Sequence, residues 1–436
     1  MMYRPLLIIL LLASLCGEAP GQRFVPNYDE SKVPSFALPD PLISESGESI
    51  SDPKAWNESR RSEILELFED HVYGVMPEAI PVVAKVISRN DSAVGGLAIR
   101  REIDLTLGTG SDATVLSLVI YTPVSEAKSE SSASTPCFLG LNFAGNHSID
   151  ADPSIQISTA WMRPKKNGTT DGNRATEAGR GTAAKRWDLR QILQRGYGLV
   201  TLYYGDIDPD FDDGFKNGIH RQLAEHQQRI APERRGGSIT AWAYGLSRVM
   251  DYLERDRLVD ADRIAVVGHS RLGKAALWAG ANDSRFAMVI SNNSGCGGAA
   301  LSRRAFGETI ARINQSFPHW FNDKFNEYNG NESACPVDQH QLIALIAPRP
   351  VYVASATKDR WADPRGEFLA CVHADPVYRL LGNNGMGGLA PPRTMPAPET
   401  PLLDGTIGYH LRTGKHDVTP YDWSRYIDFA DRHLRR

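Results

Sequence analysis

The stretch Ile264-Ala265-Val266-Val267-Gly268-His269-Ser270-Arg271-Leu272-Gly273-Lys274 decides how the rest of the chain is read. Ile264 to Val267 is an unbroken apolar run and reads as a short buried strand. The residues after Leu272, through Lys274-Ala275-Ala276-Leu277-Trp278-Ala279, read as a helix. A serine stands at the bend between them. A sharp strand-to-helix turn lifts a serine Oγ into a cleft, and small flanking residues let such a turn close. The spacing departs from the usual G-x-S-x-G, because the second glycine comes one residue late and Leu272 takes its place. An idle serine between a strand and a helix has the same local pattern, so the weight falls on the rest of the chain.

Outward from this bend, strand-like and helix-like segments alternate. Residues 137–143, 197–204, 287–291, 349–355 and 408–412 read as strands. Residues 188–195, 238–253 and 421–434 read as helices. That alternation predicts a mostly parallel sheet with helices on both faces, a three-layer αβα sandwich of the α/β-hydrolase kind. Upstream, residues 56–73 form a helix with the apolar stripe Ile64, Leu65, Leu67 and Phe68. Residues 81–88, 97–107 and 113–121 are rich in β-branched residues and predict an antiparallel start to the sheet. Residues 125–134 are a polar loop. Residues 148–190 are a long polar insertion, and long ordered loops usually serve binding. The acidic stretch 206–215 matches no calcium loop and reads as a solvated turn. There is no internal repeat and no second core, so residues 46–436 are expected to form a single catalytic domain behind an extended lead-in, 22–45.

The chain has 436 residues, 42% of them hydrophobic and 23% charged, as expected of a soluble globular protein. Its net charge of -4 gives no reason to expect nucleic acid or an anionic membrane as partner, and the chain is expected to act as a monomer. Met1-Met2-Tyr3-Arg4 is a short basic start, and residues 6–15 are an apolar core too short to span a bilayer. Ala19-Pro20-Gly21 then offers a cleavage site before Gln22. Residues 1–21 read as a signal peptide, which makes the protein secreted or periplasmic. A lipid anchor on Cys16 is disfavoured by the bulky Leu15 before it. Cys137, Cys296, Cys335 and Cys371 would remain, either as one or two disulfides of undetermined pairing or as buried thiols. There is no C-x-x-C and no metal-ligand spacing, so neither metal nor organic cofactor is expected.

A serine nucleophile needs a base to take its proton and an acid to orient that base. In this fold class the chain order is Ser, then Asp or Glu, then His. His410 falls inside the last strand-like run. His416 follows Thr413-Gly414-Lys415 in the loop beyond it, where the base usually hangs, and is preferred. For the acid, Asp359 lies just past the strand 350–356. Asp363 is nearby, but Asp363-Pro364 equally suits a helix cap. Ser270, Asp359 and His416 thus satisfy the order from three separate strand ends.

The segment Gly268-His269-Ser270-Arg271-Leu272-Gly273-Lys274 resembles the Gly-x-Ser-Arg-x-Gly-Lys signature of the glucuronoyl esterases, carbohydrate esterase family 15. The likeness runs on through Ser294-Gly295-Cys296-Gly297-Gly298, Gly307-Glu308-Thr309, Pro318-His319-Trp320-Phe321 and Lys415-His416-Asp417, over residues 55–436. It is closest to bacterial members with long insertions around the cleft. The resemblance implies Ser270 as nucleophile, His416 as base and Arg271 as oxyanion stabiliser, a cation set beside developing negative charge. It implies Lys274, Glu308 and Trp361 as sugar contacts, the indole offering a flat apolar face to a ring. The implied substrate is a glucuronate or 4-O-methyl-glucuronate ester between xylan and lignin alcohols. The alternatives are an acetyl-removing carbohydrate esterase and a secreted carbohydrate-binding pseudohydrolase.

Two departures stand out. Fungal members carry a glutamate after the strand that follows the nucleophile, whereas this chain has Ser291-Asn292-Asn293-Ser294 there. The acid must then come from elsewhere, and Asp359 fits the alternative position that bacterial members resemble. The fungal disulfide beside serine and histidine falls on His269 and Asp417, which are expected to make a polar contact instead.

Overall fold

The computed structural model describes residues 24–124, 134–391 and 394–435. The signal peptide and most of the loop 125–134 lie outside the described residues. Nine strands form one sheet. They are β1 (Val82–Ser92), β2 (Ala98–Leu107), β3 (Thr114–Pro123), β4 (Thr135–Asn142), β5 (Gly198–Tyr203), β6 (Val259–His269), β7 (Met288–Asn292), β8 (Val351–Ala356) and β9 (Ile407–Arg412). Their spatial order is β1-β2-β3-β5-β4-β6-β7-β8-β9. The first three pair antiparallel with one another, and β3 pairs antiparallel with β5. From β5 to β9 every pairing is parallel. The order reverses between β4 and β5, so β4 and β6 lie side by side within the parallel part.

The apolar runs are continuous because both faces of these strands are covered. In β6, Ile264 and Val266 enter one core and Ala265 and Val267 the other. The first core is closed by α1 (Arg61–Phe68), α3 (Ser238–Leu253), α4 (Arg271–Asn282) and α5 (Pro364–Leu380). The second is closed by α2 (Leu189–Gln194) and α6 (Pro420–His433). This is the expected three-layer αβα sandwich of the α/β-hydrolase fold. No helix among the described residues is long and apolar enough to cross a membrane.

Cys137, Cys296, Cys335 and Cys371 are all buried free thiols. The lead-in lies along the domain: Gly307 N–H donates to the Asn27 carbonyl at 2.8 Å, and Glu30 pairs with Arg304 at 2.8 Å. Within the insertion, Gly181 and Ala183 donate to the carbonyls of His147 and Ser148, and Asp152 pairs with Arg100 at 2.6 Å.

Two expectations are corrected. The acidic stretch 206–215 is not a solvated turn throughout. Asp208 and Asp210 are buried: the Asp208 carboxylate accepts from the Ser238 hydroxyl at 2.5 Å, and that of Asp210 is ringed by hydrogen-bond donors. His269 and Asp417 do not contact each other. His269 Nδ1 lies 2.6 Å from Asn292 Oδ1, while Asp417 pairs with Arg186 at 2.6 Å.

Candidate active site

The parallel strands end together. His269 is in register with Asn292, Asn292 with Ala354, and Ala356 with Arg412. Each loop that follows therefore opens on the same edge, the carboxyl edge where ligands of open parallel sheets bind. Ser270 comes one residue after β6, Asp359 three after β8 and His416 four after β9.

Ser270 has φ 58° and ψ -129°, a conformation sparsely populated by L side chains. The turn persists because its surroundings fix it. Its N–H donates to the Asn292 carbonyl at 2.9 Å, and its carbonyl accepts from Gly273 N–H at 2.9 Å. A Cβ on Gly268 would stand 1.9 Å from the Leu272 carbonyl oxygen, so no larger residue fits. The late glycine is constrained less severely. A Cβ on Gly273 would lie 3.0 Å from the Ser294 Cβ, while Leu272 turns into the core.

His416 and Asp359 meet because their loops keep pairing beyond the strands. Thr357 N–H donates to the Arg412 carbonyl and Lys358 N–H to the Gly414 carbonyl, both at 2.8 Å. His416 Nδ1 then lies 2.5 Å from Asp359 Oδ2. Arg412 braces the histidine loop, donating to the carbonyls of Lys415 at 3.0 Å and Asp417 at 2.8 Å. His410 is fully buried between the Tyr352 hydroxyl, 3.0 Å from Nδ1, and Asp422, 2.9 Å from Nε2. Asp363 caps α5 and pairs with Arg304 at 2.7 Å. Both alternatives to the preferred residues are thus engaged elsewhere.

Ser270, Arg271, Lys274, Glu308, Asp359, Trp361 and His416 all line one cleft of about 300 Å³. Lys274 is buried, with Nζ donating to the carbonyls of Ser294 at 2.6 Å and of Cys296, and lying 3.7 Å from Glu308 Oε2. Burial raises the Glu308 carboxyl above its ordinary range, against the pull of the Lys274 charge and a hydrogen bond from the Trp361 side chain. Phe24 of the lead-in packs edge-on to Trp361, their ring centres 6.1 Å apart. Asn293 lies on the cleft wall, and neither polar atom of its side-chain amide has a partner among the described residues.

The residue that reasoning from sequence missed is Asp210. Its carboxylate accepts from Arg271, from Arg163 at 3.3 Å, from the Tyr204 hydroxyl at 3.1 Å, from His319 at 3.0 Å and from Trp320 at 2.8 Å. Burial alone would raise this carboxyl. The His319 hydrogen bond and the Arg271 charge outweigh it and hold the group far below the carboxylate range. The Arg271 guanidinium also lies 4.7 Å from the Trp320 ring centre and 5.3 Å from that of Phe317. Pro318-His319-Trp320-Phe321 thus earns its place by seating Arg271 at the cleft wall. The available signal was position, since Asp208-Pro209-Asp210 follows β5 on the ligand-binding edge.

Comparisons with known proteins bear on the whole arrangement. A family model described as fungal glucuronyl esterase matches residues 226–382. Carbohydrate esterase MZ0003, from an unknown prokaryotic organism, is 47% identical over 432 residues, 98% of this chain and 98% of that protein. A promiscuous CE15 esterase from the marine bacterial metagenome superposes with a TM-score of 0.85 at 49% identity, over 94% of this chain and 100% of that one. The glucuronoyl esterase from Solibacter usitatus superposes with a TM-score of 0.82 at 43% identity, over 92% and 99%. The chain belongs to the glucuronoyl esterases of carbohydrate esterase family 15, which are carboxylic ester hydrolases.

Proposed function

From that membership we propose that the chain hydrolyses esters of glucuronate and 4-O-methyl-glucuronate, the bonds linking xylan side chains to lignin alcohols. The observation that carries this reading is the convergence of a strained serine, a histidine–aspartate pair and an arginine with Lys274, Glu308 and Trp361, which the resemblance implies as sugar contacts, on one cleft. Ser270 Oγ attacks the ester carbonyl carbon as His416 Nε2 takes its proton. Asp359 holds Nδ1–H and with it the tautomer that leaves Nε2 free to act as base. The oxyanion forms beside the Arg271 guanidinium and the first N–H of α4, a donor with no partner inside its own helix. His416 then gives its proton to the departing alcohol oxygen. Water repeats the sequence and releases the uronic acid.

On the acyl side, Trp361 offers a face to the pyranose ring and Glu308 accepts from its hydroxyls. Lys274 fixes Glu308 and the 294–296 loop and adds its charge near the uronate. Residues 46–436 act as one catalytic unit. The basic start and the apolar run 6–15 support export of a monomer to the periplasm or beyond.

Turnover of benzyl glucuronate beside p-nitrophenyl acetate tests the substrate. Preference for the glucuronate supports the uronate as the recognised acyl group. Preference for the acetate would move the assignment to an acetyl esterase. Ser270→Ala is expected to abolish both activities with the fold intact. Failure of a serine-reactive fluorophosphonate to label Ser270 would point to a binding protein on a hydrolase scaffold.

A further inference from the structure

A second cleft, of about 610 Å³, meets the catalytic cleft at Arg271. None of Lys274, Glu308 and Trp361 lines it, so it lies away from the proposed acyl contacts. The insertion 148–190 builds most of its wall.

Its charge is unlike that of the chain as a whole. The net charge of the protein is -4, yet this cleft gathers Arg163, Lys165, Lys185, Arg186 and Arg271. Against these five cations stand two carboxylates. Asp417 is taken by Arg186 at 2.6 Å, and Asp210 is shared between Arg271 and Arg163. Among the described residues, neither Lys165 nor Lys185 has a carboxylate within 4.0 Å. Partial burial and the neighbouring Arg186 charge lower the Lys165 ammonium. Five cations against two carboxylates would not be held on one concave wall for the benefit of the free fold, since their mutual repulsion is unfavourable. The wall between them is aromatic, with Phe143, Trp187, Tyr203 and Tyr204. The volume suits a substituted aromatic ring rather than a single ion.

The geometry points to a leaving-group subsite for an aromatic alcohol that carries a carboxylate, with Lys165 and Lys185 meeting the anion and the aromatic wall meeting the ring. This deepens the glucuronoyl esterase reading and rests on it: the cleft adjoins the catalytic one at Arg271 and shares none of the proposed acyl contacts, which leaves it to the alcohol side of a uronate ester. Cations at a cleft rim act through encounter and salt-dependent affinity more than through the chemical step. The effect belongs in kcat/KM.

The test compares benzyl glucuronate with its 4-carboxybenzyl counterpart in the natural enzyme and in Lys165→Ala/Lys185→Ala. Neither lysine belongs to the proposed catalytic machinery. The expected result is a kcat/KM about tenfold higher for the carboxylated ester at low ionic strength. That preference should collapse toward unity in the double variant and in about 0.5 M salt, with benzyl glucuronate itself little changed. A ratio near one in the natural enzyme, or a preference that survives the double substitution, overturns the subsite. The subsite is also read without any uronate. 4-(Hydroxymethyl)benzoate should inhibit p-nitrophenyl acetate turnover more strongly than benzyl alcohol does, and the difference should vanish in the double variant. If benzyl glucuronate is not cleaved while that differential inhibition holds, the substrate reading fails and the subsite stands. Equal inhibition by both alcohols would overturn it.

Discussion

Strand β9 and the loop after it carry two histidines six residues apart, His410 and His416, each paired with an aspartate, and the two pairs have opposite fates. His410 and Asp422 are both wholly buried, and both ring nitrogens of His410 are engaged, one by Tyr352 and one by Asp422. Burial lowers the His410 imidazole despite its acid partner. His416 sits at the cleft mouth with 41% of its side chain exposed, while its Asp359 is 4% exposed. Only Nδ1 of His416 is engaged by the protein among the described residues. The same two side chains make a buried strut in one setting and, in the proposed mechanism, a proton carrier in the other. What separates them is whether the second nitrogen is left unoccupied at a cleft, since a general base must reach the proton it takes.

The strongest way to break that contrast is to exchange the losses. His416→Gln is expected to lower kcat by about 10⁴- to 10⁶-fold with little change in melting temperature. His410→Gln should keep kcat per folded molecule within about tenfold while lowering stability by about 1–3 kcal/mol, because it disturbs a buried hydrogen-bond network. Comparable kcat losses in both variants would remove the distinction. The measurements are steady-state turnover with a uronate ester and thermal unfolding.

The aspartates sharpen the same point. Asp359→Asn should cost about 10⁴-fold in kcat by permitting the wrong imidazole tautomer. Asp422→Asn should act mainly on unfolding free energy, by about 3–5 kcal/mol, since Arg412 and His410 lose their shared buried anion. Some loss of kcat should accompany it, because Arg412 also braces the loop of His416.

The smallest effect concerns a buried acid with no cation beside it. Glu367 accepts from Ser294 N–H at 2.7 Å, Gly295 N–H at 3.1 Å and the Ser355 hydroxyl at 2.6 Å, and burial pushes its carboxyl up to about 8. Its ordinary value is about 4.3. Between those two values the unfolded chain gives up the proton and the folded chain keeps it. Stability from this group is therefore greatest below about pH 4.3 and declines as pH rises toward 8. Glu367→Gln keeps an acceptor for both N–H groups and has no proton to lose. It should flatten this part of the pH dependence and match or exceed the natural protein in melting temperature at pH 8, with no gain at pH 4. An unchanged pH dependence would mean that Glu367 is ionised in the folded protein.

Most of the fold was legible because parallel strands buried on both faces leave continuous apolar runs, as in 264–267 and 351–356. Segment type came through well, and α3 fell on its expected bounds. The position of His416 was legible from chain order and family likeness. The structure adds the loop pairing that brings it to Asp359. Asp210 was not legible, because composition alone does not distinguish a solvated acid from one buried among donors. The contact expected between His269 and Asp417 failed for a similar reason. Sequence correspondence said where the two residues stand and nothing of Asn292 and Arg186, which engage them instead.

The anchoring of Arg271 has a consequence for descent. Asp210 lies 61 positions upstream of the arginine, buried and ringed by donors. A lineage that loses the arginine alone inherits a buried carboxylate stripped of one of its two guanidinium partners, a burden of about 1–3 kcal/mol. Drift away from esterase chemistry is then a two-step event, and the intermediate is the less fit form. Among relatives that have abandoned the reaction, the two positions should have changed together, so that the pair serves as a heritable mark of whether the cleft is still in use.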